Sequence, residues 1–377
     1  MIKNNHLLYV ACAAAAFGGI APADAKAGDK IAGSYICVFN GAVAPDKVRA
    51  EASRAAGAGL KHVYADSIRG FSASAGSVAQ LRARNPHIAY CEQDQEVEAI
   101  QGGPFDFREL GKPSGPPPAQ TVPWGVTRVH GGSSTGAGTG TAWVIDTGID
   151  LDHPDLNVDT GRSRNYSNGV SPDDGNGHGS HVAGIIGADD NGFGVVGVSP
   201  GARLVAVRVL NNAGSGTNSD VIAGVNYVAA NGHPGDVANM SLGGGPSTAL
   251  DNAVIAAAAT GVKFTLAAGN ESDNANNHSP ARANGPNVYT VSSFAKGSSA
   301  TDTDDPWSSF SNFGPSVDYA EPGSSIPSTY KGGGYATLSG TSMAAPHLAG
   351  ILLVKSPQSG GTVDGDPDGN PDTIGTK

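Results

Sequence analysis

Residues 141–146 read Thr-Ala-Trp-Val-Ile-Asp and begin a series of short apolar strands that alternate with helices. Further apolar strands are predicted at residues 204–210, 237–242, 262–268 and 288–291. Because such strands are apolar on both faces, helices have to cover both sides of the sheet that they form. The pattern therefore predicts an α/β fold with a doubly wound, mostly parallel sheet and helices on both faces.

The overall composition narrows the range of partners. The 377-residue chain has a formal net charge of −11 at pH 7, and its Lys and Arg residues do not form a cluster. This balance argues against nucleic acids and anionic membrane surfaces as partners. An excess of carboxylates suits Ca²⁺, but it can equally form a solubilising surface.

The first 25 residues are typical of an export signal. Lys3 provides a positive start, residues 7–20 are apolar and rich in Ala, and residues 23–25 (Ala-Asp-Ala) fit a small-x-small cleavage site. The apolar segment is too short to span a bilayer as an anchor. We therefore expect a secreted protein, extracellular or periplasmic, without a membrane span.

Residues 26–101 are predicted to form a separate small domain. Its strands and helices follow the order βαββαβ, which is typical of a ferredoxin-like α+β unit. The first and last strands of such a unit are neighbours, so Cys37 and Cys91 can pair as a disulfide, and two buried thiols are the equal alternative. The remaining segments are a Pro/Gly-rich linker at 102–118, the large α/β domain at 119–355 and an Asp/Gly-rich tail at 356–377.

Four polar residues lie at the ends of predicted elements. Asp146 ends the first strand of the large domain, His178 lies at a loop-to-helix junction, and Asn270 follows the fourth strand. Ser342 comes just before an apolar helical run, where the helix N-terminus favours developing negative charge. A helix cap is the alternative role for Ser342 or for Thr341. Since ligands collect at the carboxyl ends of parallel strands, we expect the four residues to share one sheet edge.

These four residue types suit acyl transfer. A serine hydroxyl is a weak nucleophile and needs an imidazole to take its proton. The imidazole in turn needs a carboxylate, which fixes its tautomer and stabilises its charged form. Asp146, His178 and Ser342 supply one group of each kind, and the Asn270 amide can donate to an oxyanion.

Three motifs carry a family resemblance. They are Asp146-Thr147-Gly148, Gly177-His178-Gly179-Ser180-His181-Val182-Ala183-Gly184 and Gly340-Thr341-Ser342-Met343-Ala344-Ala345-Pro346. In this order they resemble the subtilisin-like serine proteases, or subtilases, over roughly residues 120–354. The resemblance implies a serine endopeptidase in which Asp146, His178 and Ser342 form the triad. Asn270 and the backbone N–H of Ser342 would then hold the oxyanion of an acyl-enzyme mechanism.

The same resemblance implies a set of substrate-binding residues. They are Ser215, Gly216, Ser241, Leu242, Gly243, Ala268 and Gly269. The small residues on the walls of the first specificity pocket imply an uncharged side chain, apolar or aromatic, at P1, the residue before the cleaved bond. Protein and peptide substrates are the expected partners of a monomeric enzyme.

The small N-terminal domain resembles the inhibitory propeptide of the family, of the I9 type. Residues 90–97, Tyr-Cys-Glu-Gln-Asp-Gln-Glu-Val, match the last strand of such a propeptide. The resemblance implies that this domain assists folding, covers the active site as an intramolecular inhibitor and is cut off by the enzyme itself. We expect the cut between about residues 101 and 119.

Calcium is the cofactor that the resemblance implies. A tight site would take oxygen atoms from Gln120, Asp155, Asp189, Asn191, Phe193 and Val195, and a weaker site would use Asp318. The tail at 364–372 begins with EF-hand spacing, but position twelve is Gly375 instead of Glu. Weak calcium binding and a merely solvated acidic segment are equal alternatives for the tail.

Two rival functions remain at this point. One is a catalytically silent subtilase relative that acts as a calcium-dependent binding protein, although the presence of all four polar residues argues against it. The other is an esterase or a peptide-ligating enzyme, because both would use the same acyl chemistry.

Overall fold

A computed structural model of the chain describes residues 26–100, 108–109, 118–133, 140–298 and 304–377. The expected export signal and most of the expected linker lie outside these residues. Among the helices in the described ranges, none combines the length and the apolar character needed to cross a membrane.

The N-terminal part of the chain forms a small α+β unit in the predicted order βαββαβ. Its elements are β1 (Lys30–Phe39), α1 (Val48–Ala56), β2 (Leu60–Tyr64), β3 (Gly70–Ser74), α2 (Val78–Arg84) and β4 (Ile88–Ala99). The strands run in the order β4-β1-β3-β2, and each neighbouring pair is antiparallel. Cys37 lies opposite Cys91 in the β1–β4 pair, and the two cysteines form a disulfide. Of the two alternatives for these cysteines, the structure therefore has the paired one.

The large unit contains the remaining elements. They are β5 (Arg108–Glu109), α3 (Trp124–Arg128), β6 (Thr141–Asp146), β7 (Arg164–Asn165), α4 (His178–Gly187), β8 (Arg203–Arg208), β9 (Ser215–Thr217), α5 (Asn218–Asn231), β10 (Val237–Met240), β11 (Leu242–Gly244), α6 (Thr248–Ala258), β12 (Lys263–Ala267), β13 (Val288–Phe294), β14 (Val317–Pro322), β15 (Ile326–Tyr330), β16 (Gly334–Leu338), α7 (Thr341–Leu352), β17 (Gln358–Thr362) and β18 (Thr373–Thr376).

One sheet of nine strands organises the large unit. Its order is β17-β18-β14-β13-β12-β10-β6-β8-β7, and its neighbouring strands are parallel except for the β17–β18 pair. Helices α4 and α7 pack on one face through Val182, Ile185 and Leu348. Helices α5 and α6 pack on the other face through Val225 and Val254. The prediction of a mostly parallel sheet with helices on both faces is confirmed.

The C-terminal residues belong to this sheet. Residues 356–377 were expected to form a separate tail, but β18 runs parallel to β14, with Ile374 opposite Ala320. Val363 and Ile374 are buried against Phe294, and the backbone N–H of Lys377 donates to the carbonyl of Val129 at 2.8 Å. The hairpin of β17 and β18 therefore forms one edge of the nine-stranded sheet.

The expected linker also contributes one short strand. Residues 102–118 were predicted to be a linker that forms no sheet interior, and Arg108–Glu109 pair with Thr337 and Ala336 of β16. The strand lies at the edge of a small sheet in the order β15-β16-β5. An edge position needs hydrogen bonds on one side only, so a short strand can form there without an apolar sequence.

A carboxyl group is buried where the C-terminal hairpin meets the main sheet. Glu321 in β14 is fully buried, and within the described chain neither of its carboxylate oxygens has a hydrogen-bond partner. Burial raises the pKa of Glu321 well above its ordinary value, and the charge of Arg128 opposes only part of this effect. Arg128 itself is paired with Asp305, with 2.7 Å between Nε and Oδ2. We therefore expect Glu321 to hold its proton in the folded protein.

The substitution Glu321→Gln should stabilise the fold at alkaline pH. The pKa of Glu321 is higher in the folded state than in the unfolded state, so the folded state keeps a proton that the unfolded state releases. The stability of the protein with Glu321 is therefore greatest at acid pH, and it falls as pH rises from the unfolded-state pKa to the folded-state pKa. Gln cannot ionise, and the variant should gain roughly 0.5–3 kcal/mol at pH 9 relative to pH 4. Thermal unfolding of both proteins across this range measures the difference. Parallel stability curves would contradict the prediction.

Candidate active site

Asp146 and His178 meet at the carboxyl edge of the sheet. Asp146 is the last residue of β6, His178 is the first residue of α4, and 2.8 Å separate Asp146 Oδ1 from His178 Nδ1. Both side chains are fully buried. The preceding Gly177 has φ 110°, a left-handed conformation that glycine adopts without strain, and this turn starts the helix at His178.

The buried carboxylate controls the charge of the imidazole. Burial alone lowers the pKa of His178, but the charge of Asp146 and its hydrogen bond outweigh burial, so the pKa of His178 is raised. The Asp174 carboxylate and the backbone of Ile100 act in the same direction. Within the described chain, His178 Nε2 is buried and has no hydrogen-bond partner. This nitrogen is therefore left to exchange a proton with another group.

Asp174 supports the pair, and the sequence analysis missed it. Its Oδ1 accepts hydrogen bonds from the backbone N–H groups of Asn176 and Gly177, at 2.9 and 2.8 Å. Its Oδ2 accepts from both the N–H and the hydroxyl of Ser180, at 2.9 and 2.7 Å. The Thr147 hydroxyl also donates to Asp174, at 2.9 Å. An acid four residues before a histidine that starts a helix was the available sequence signal, since acids stabilise helix N-termini.

Ser342 lies in the first turn of α7. Its hydroxyl donates to the carbonyl of Ser241 at 3.1 Å, and the Ser241 hydroxyl donates back to the carbonyl of Ser342 at 2.9 Å. Helix α7 is capped by Gly340 without a side-chain hydrogen bond, so the alternative role of Thr341 or Ser342 as the cap does not apply. Ser342 is therefore free to play another role at this helix N-terminus.

The Asn270 side chain is oriented by the residue before Ser342. Asn270 Oδ1 accepts hydrogen bonds from the backbone N–H and the hydroxyl of Thr341, at 2.9 and 3.0 Å. The amide nitrogen, Nδ2, is buried and has no partner within the described residues. A fixed, unused donor beside a helix N-terminus is the arrangement that stabilises an oxyanion.

Asn312 holds the loop that carries Asn270, and the sequence analysis missed this residue as well. The fully buried Asn312 side chain accepts from the backbone N–H groups of Glu271 and Asp273, at 3.0 and 2.9 Å. Its amide donates to the Ala268 carbonyl at 3.0 Å and to the Glu271 carboxylate at 2.6 Å. One side chain thus fixes both sides of the loop at 268–273. No local pattern points to it, because its partners lie about 40 residues away.

The predicted substrate-binding strands flank a segment of this same chain. Glu98 of β4 lies opposite Ser215 of β9 on one side and opposite Gly243 of β11 on the other. Beyond β4, the backbone N–H of Ile100 donates to the carbonyl of Ser241 at 3.2 Å. The end of the small unit therefore occupies the groove that leads to Ser342.

A cavity of about 490 Å³ opens beside Ile100. Its walls include both predicted pocket segments and several residues that were not predicted. Among the lining residues are Gly243, Ala268, Gly269, Glu271, His278 and Ile100. A side chain at Gly243 would come within 3.0 Å of Ile100 Cδ1, so glycine keeps this wall open. Three of the seven predicted substrate-binding residues outside this wall, Ser215, Gly216 and Leu242, lie in the flanking strands β9 and β11. The carbonyl of Ser241 accepts the hydrogen bond from the Ile100 N–H.

Comparisons with known proteins agree with this geometry. The model of the Subtilase family matches residues 142–360, which is more than half of the chain. The chain belongs to the subtilase family. It is 42% identical over 311 residues to alkaline serine exoprotease A of Vibrio alginolyticus, which covers 78% of this chain and 53% of that protein. It is 41% identical over 278 residues to M-protease of Shouchella clausii, which covers 72% of this chain and 64% of that protein.

A solved structure supports the subtilase fold. The crystal structure of a cold adapted subtilisin-like serine proteinase matches 63% of this chain and 89% of its own chain, with a TM-score of 0.52 and 41% sequence identity. The subtilase chain described here spans about half to two thirds of the length of the two relatives named above.

The residues expected at the first calcium site come together in the subtilase fold. Gln120 Oε1 accepts from the backbone N–H groups of Asn191, at 3.0 Å, and of Gly192. The fully buried Asp155 accepts from the Asn191 amide at 2.9 Å and from the Val195 N–H at 3.1 Å. Burial raises the pKa of Asp155 to about 6 and also raises the pKa of Asp189. A bound cation would offset the cost of burying the Asp155 charge, so the residues fit such a group.

Two further observations concern metal binding by the described residues. The part of the chain that the structure describes gathers no group of three or more His, Cys, Asp and Glu side chains suited to a metal ion. The expected first site depends mainly on amide and carbonyl oxygens, which that observation does not cover. At the expected second site, Asp318 Oδ2 accepts a hydrogen bond from the Thr290 N–H at 2.8 Å. Both calcium sites stay predictions.

The substitution Asp146→Asn should lower the pKa of His178 below the ordinary value for histidine. The variant removes the negative charge that outweighs burial and leaves the burial in place. Histidine NMR titration measures the change, with both proteins carrying Ser342→Ala. Asp220→Asn is the control, because Asp220 pairs with His62 and should leave His178 unchanged. An unchanged His178 titration in Asp146→Asn would contradict the assigned role of Asp146.

Proposed function

We propose that this subtilase is a secreted serine endopeptidase that hydrolyses peptide bonds in proteins through an acyl-enzyme intermediate. The observation that carries the proposal is the fully buried hydrogen bond of 2.8 Å between Asp146 and His178, with His178 Nε2 unpartnered. Ser342 and the free amide donor of Asn270 complete the set of groups that peptide hydrolysis needs. The family membership and the alkaline protease relatives support the same reaction.

The reaction divides into two proton-coupled steps. In the first, the Ser342 hydroxyl turns from Ser241 toward His178, gives its proton to Nε2 and attacks the substrate carbonyl carbon. The Asn270 amide and the Ser342 N–H donate to the oxyanion, and His178 returns the proton to the leaving amine as the C–N bond breaks. In the second step, water gives a proton to His178 Nε2 and attacks the acyl carbon, and His178 passes the proton to Ser342 Oγ as the ester bond breaks. Asp146 holds the imidazole tautomer and stabilises its charged form throughout.

The small unit acts in this proposal as an inhibitory propeptide. Its Asp94 accepts from the Ser219 N–H at the start of α5, at 3.0 Å. Its Glu92 accepts from the Ser247 hydroxyl and from the Ala249 N–H at the start of α6, at 3.3 Å. Carboxylates at two helix N-termini orient the unit, because each helix start offers unpaired N–H groups and a partial positive charge. Strand β4 then enters the groove between β9 and β11 as a peptide substrate would.

The register in the groove favours cleavage directly after Ile100. The Ile100 N–H contacts Ser241, and the backbone of Ile100 contributes to the environment of His178. Ile100 is then the P1 residue, which agrees with the apolar P1 side chain expected from the sequence. The cut falls at the beginning of the expected interval, between Ile100 and Gln101. The Cys37–Cys91 disulfide leaves with the propeptide. Its formation requires the oxidising compartment that export provides.

The substitution Ser342→Ala should leave a full-length, uncut precursor. Self-cleavage requires the nucleophile, and in related subtilisins loss of the serine lowers turnover on the order of a million-fold. Intact mass of the purified protein measures processing, and sequencing of the new N-terminus should begin at Gln101. The control is Ser356→Ala, since Ser356 is exposed in a loop outside the site. Efficient maturation of pure Ser342→Ala protein would contradict self-processing.

Labelling separates the endopeptidase from its rivals. Phenylmethylsulfonyl fluoride should modify Ser342 in the matured protein, which a silent binding protein would not allow. Peptide and ester substrates run in parallel then distinguish an endopeptidase from an esterase. A folded, processed protein that takes no label would contradict the proposed reaction.

Calcium stabilises the mature enzyme in this proposal. Gln120, Asp155 and Asn191 would hold the ion with backbone oxygens of Asp189, Phe193 and Val195, and the ion would supply positive charge for the buried Asp155 carboxylate. Asp318 would hold a second ion. Residues 119–377 contain no cysteine, so no disulfide can take over this stabilising role.

A chelator should lower the melting temperature of the mature protein. An ion at a hundred times its Kd adds about 2.7 kcal/mol to stability, which the chelator removes. The variant Asp155→Asn should unfold at a lower temperature and respond weakly to calcium. Asp159→Asn is the control, because Asp159 pairs with Arg162 at the surface. Identical melting curves with calcium and with chelator would contradict both metal sites.

A further inference from the structure

Arg208 is buried beside the acid of the proposed triad. It is the last residue of β8, lies opposite Asp146 of β6 and is only 7% exposed. A buried guanidinium group is costly unless its N–H groups find acceptors. The acceptors of Arg208 therefore show which parts of the site it holds together.

The guanidinium group of Arg208 joins two loops of the large unit. Its Nη1 donates to the carbonyls of Ser171 and Asp173, at 3.2 and 2.6 Å. Its Nε donates to the Leu210 carbonyl at 3.2 Å, and its Nη2 donates to Asn212 Oδ1 at 2.6 Å. Because the guanidinium group is planar and rigid, these hydrogen bonds fix the loop that contains Asp173 relative to the loop that contains Asn212.

The first of these loops leads to His178. The backbone carbonyl of Asn212 accepts a hydrogen bond from the Asn176 side-chain amide at 3.0 Å. Asn176 Oδ1 in turn accepts from the backbone N–H of His178 at 3.1 Å. A side chain at Gly175 would come within 2.2 Å of Asn212 Oδ1, so glycine lets the two loops touch. Arg208 and Asn212 together therefore connect the second loop to the start of α4.

The second loop contacts the strand that occupies the groove. The Gly214 carbonyl accepts a hydrogen bond from the backbone N–H of Ala99 at 2.9 Å. The Gly214 N–H donates to the Asn211 carbonyl at 3.0 Å, and Asn211 Oδ1 accepts from the Ala213 N–H at 2.8 Å. The turn is thus braced by its own hydrogen bonds. With cleavage after Ile100, Ala99 is the P2 residue, so the backbone of a substrate would meet the turn at this point.

We propose that Arg208 and Asn212 couple the binding of the substrate backbone at P2 to the position of His178. A substrate N–H that donates to Gly214 fixes the turn, and the contact between Arg208 and Asn212 passes this constraint to the loop that starts α4. His178 is then held where it can take the proton of Ser342. Both are positioning residues, because they act on His178 through its loop. The inference rests on the proposed function, because a P2 residue exists only if the chain cleaves peptides.

Two peptide anilides that differ at one nitrogen atom test the proposal. Both have the form acetyl-Ala-Ala-P2-norleucine-p-nitroanilide. One carries Ala at P2, and the other carries N-methylalanine, which has no N–H to donate to Gly214. Since the two peptides share the P1 residue and the leaving group, the ratio of their kcat values cancels the contribution of the triad. We expect the matured wild type to have the higher kcat with Ala, because binding at P2 is used to position the reacting groups.

Two substitutions interrupt the connection between the loops. Arg208→Lys replaces the guanidinium group by a single ammonium group, which cannot reach all four acceptors. Asn212→Ala removes one acceptor at an exposed position, so this variant should fold as the wild type does. In both variants the Ala/N-methylalanine ratio of kcat should fall at least about fivefold, the lower end of typical coupling between two sites. The ratio of KM should stay the same, because the Gly214 carbonyl still accepts from the substrate.

Two further variants are controls for these substitutions. Asn212→Asp keeps an oxygen atom that accepts from Arg208, so its kcat ratio should match that of the wild type. Arg128→Lys changes another buried arginine, which contacts Asp305 and Gly360, and it should also leave the ratio unchanged. Thermal unfolding shows that each variant is folded. A merely structural role of Arg208 would lower kcat for both peptides alike, and the ratio would not move.

The outcomes separate this inference from the proposed function. An unchanged kcat ratio in either folded variant, Arg208→Lys or Asn212→Ala, overturns the inference while the proposed function stands. An equal fall of the ratio in Arg128→Lys, or a wild-type ratio near one, has the same consequence. A matured wild type that cleaves neither peptide overturns both.

Discussion

The buried hydrogen bond between Asp146 and His178 is the constraint on which the rest of the site depends. Two fully buried ionisable groups are costly unless they pair with each other in a fixed geometry. Asp146 is fixed at the end of a strand with neighbours on both sides, and its Oδ1 also accepts from the Thr147 N–H at 2.7 Å. Asp174 fixes the start of the helix that carries His178. Strand and helix ends thus set the distance between acid and base.

A second buried polar side chain, Asn312, supports Asn270, the proposed oxyanion donor. Asn312 holds the loop at 268–273 through its amide group, and Asn270 is oriented in turn by Thr341. Since a misplacement of about 1 Å at an active site can lower the rate about a hundred-fold, such supports matter as much as the reacting groups. The same Asn312 donates to Glu271, so the loop links Asn270 to the cavity beside Ile100.

The two units of the chain meet through edges that each would otherwise leave unpaired. Strands β9 and β11 are short edge strands of the large unit, and β4 extends beyond its own sheet to pair with both. Backbone hydrogen bonds of this kind accept many side chains, which suits the proposed binding of varied peptides in the groove. The carboxylates of Glu92 and Asp94 at two helix starts add a fixed orientation. In the proposed precursor, the small unit thus inhibits through the same backbone hydrogen bonds that would bind a substrate.

The sequence by itself determined the architecture of the large unit and the choice of the proposed reacting groups. Apolar strands such as residues 141–146 indicate a covered parallel sheet, and the order of elements places Asp146, His178, Asn270 and Ser342 at ends of strands and helices. Short or polar strands, including β17 and β18, were missed because they form through pairing with neighbours instead of through an apolar pattern. Only the tertiary structure decided the positioning roles of Asp174 and Asn312, because each acts through partners that local patterns do not relate to it. The physical reason is that strand and helix formation depends on neighbours in sequence, whereas positioning and charge depend on neighbours in space.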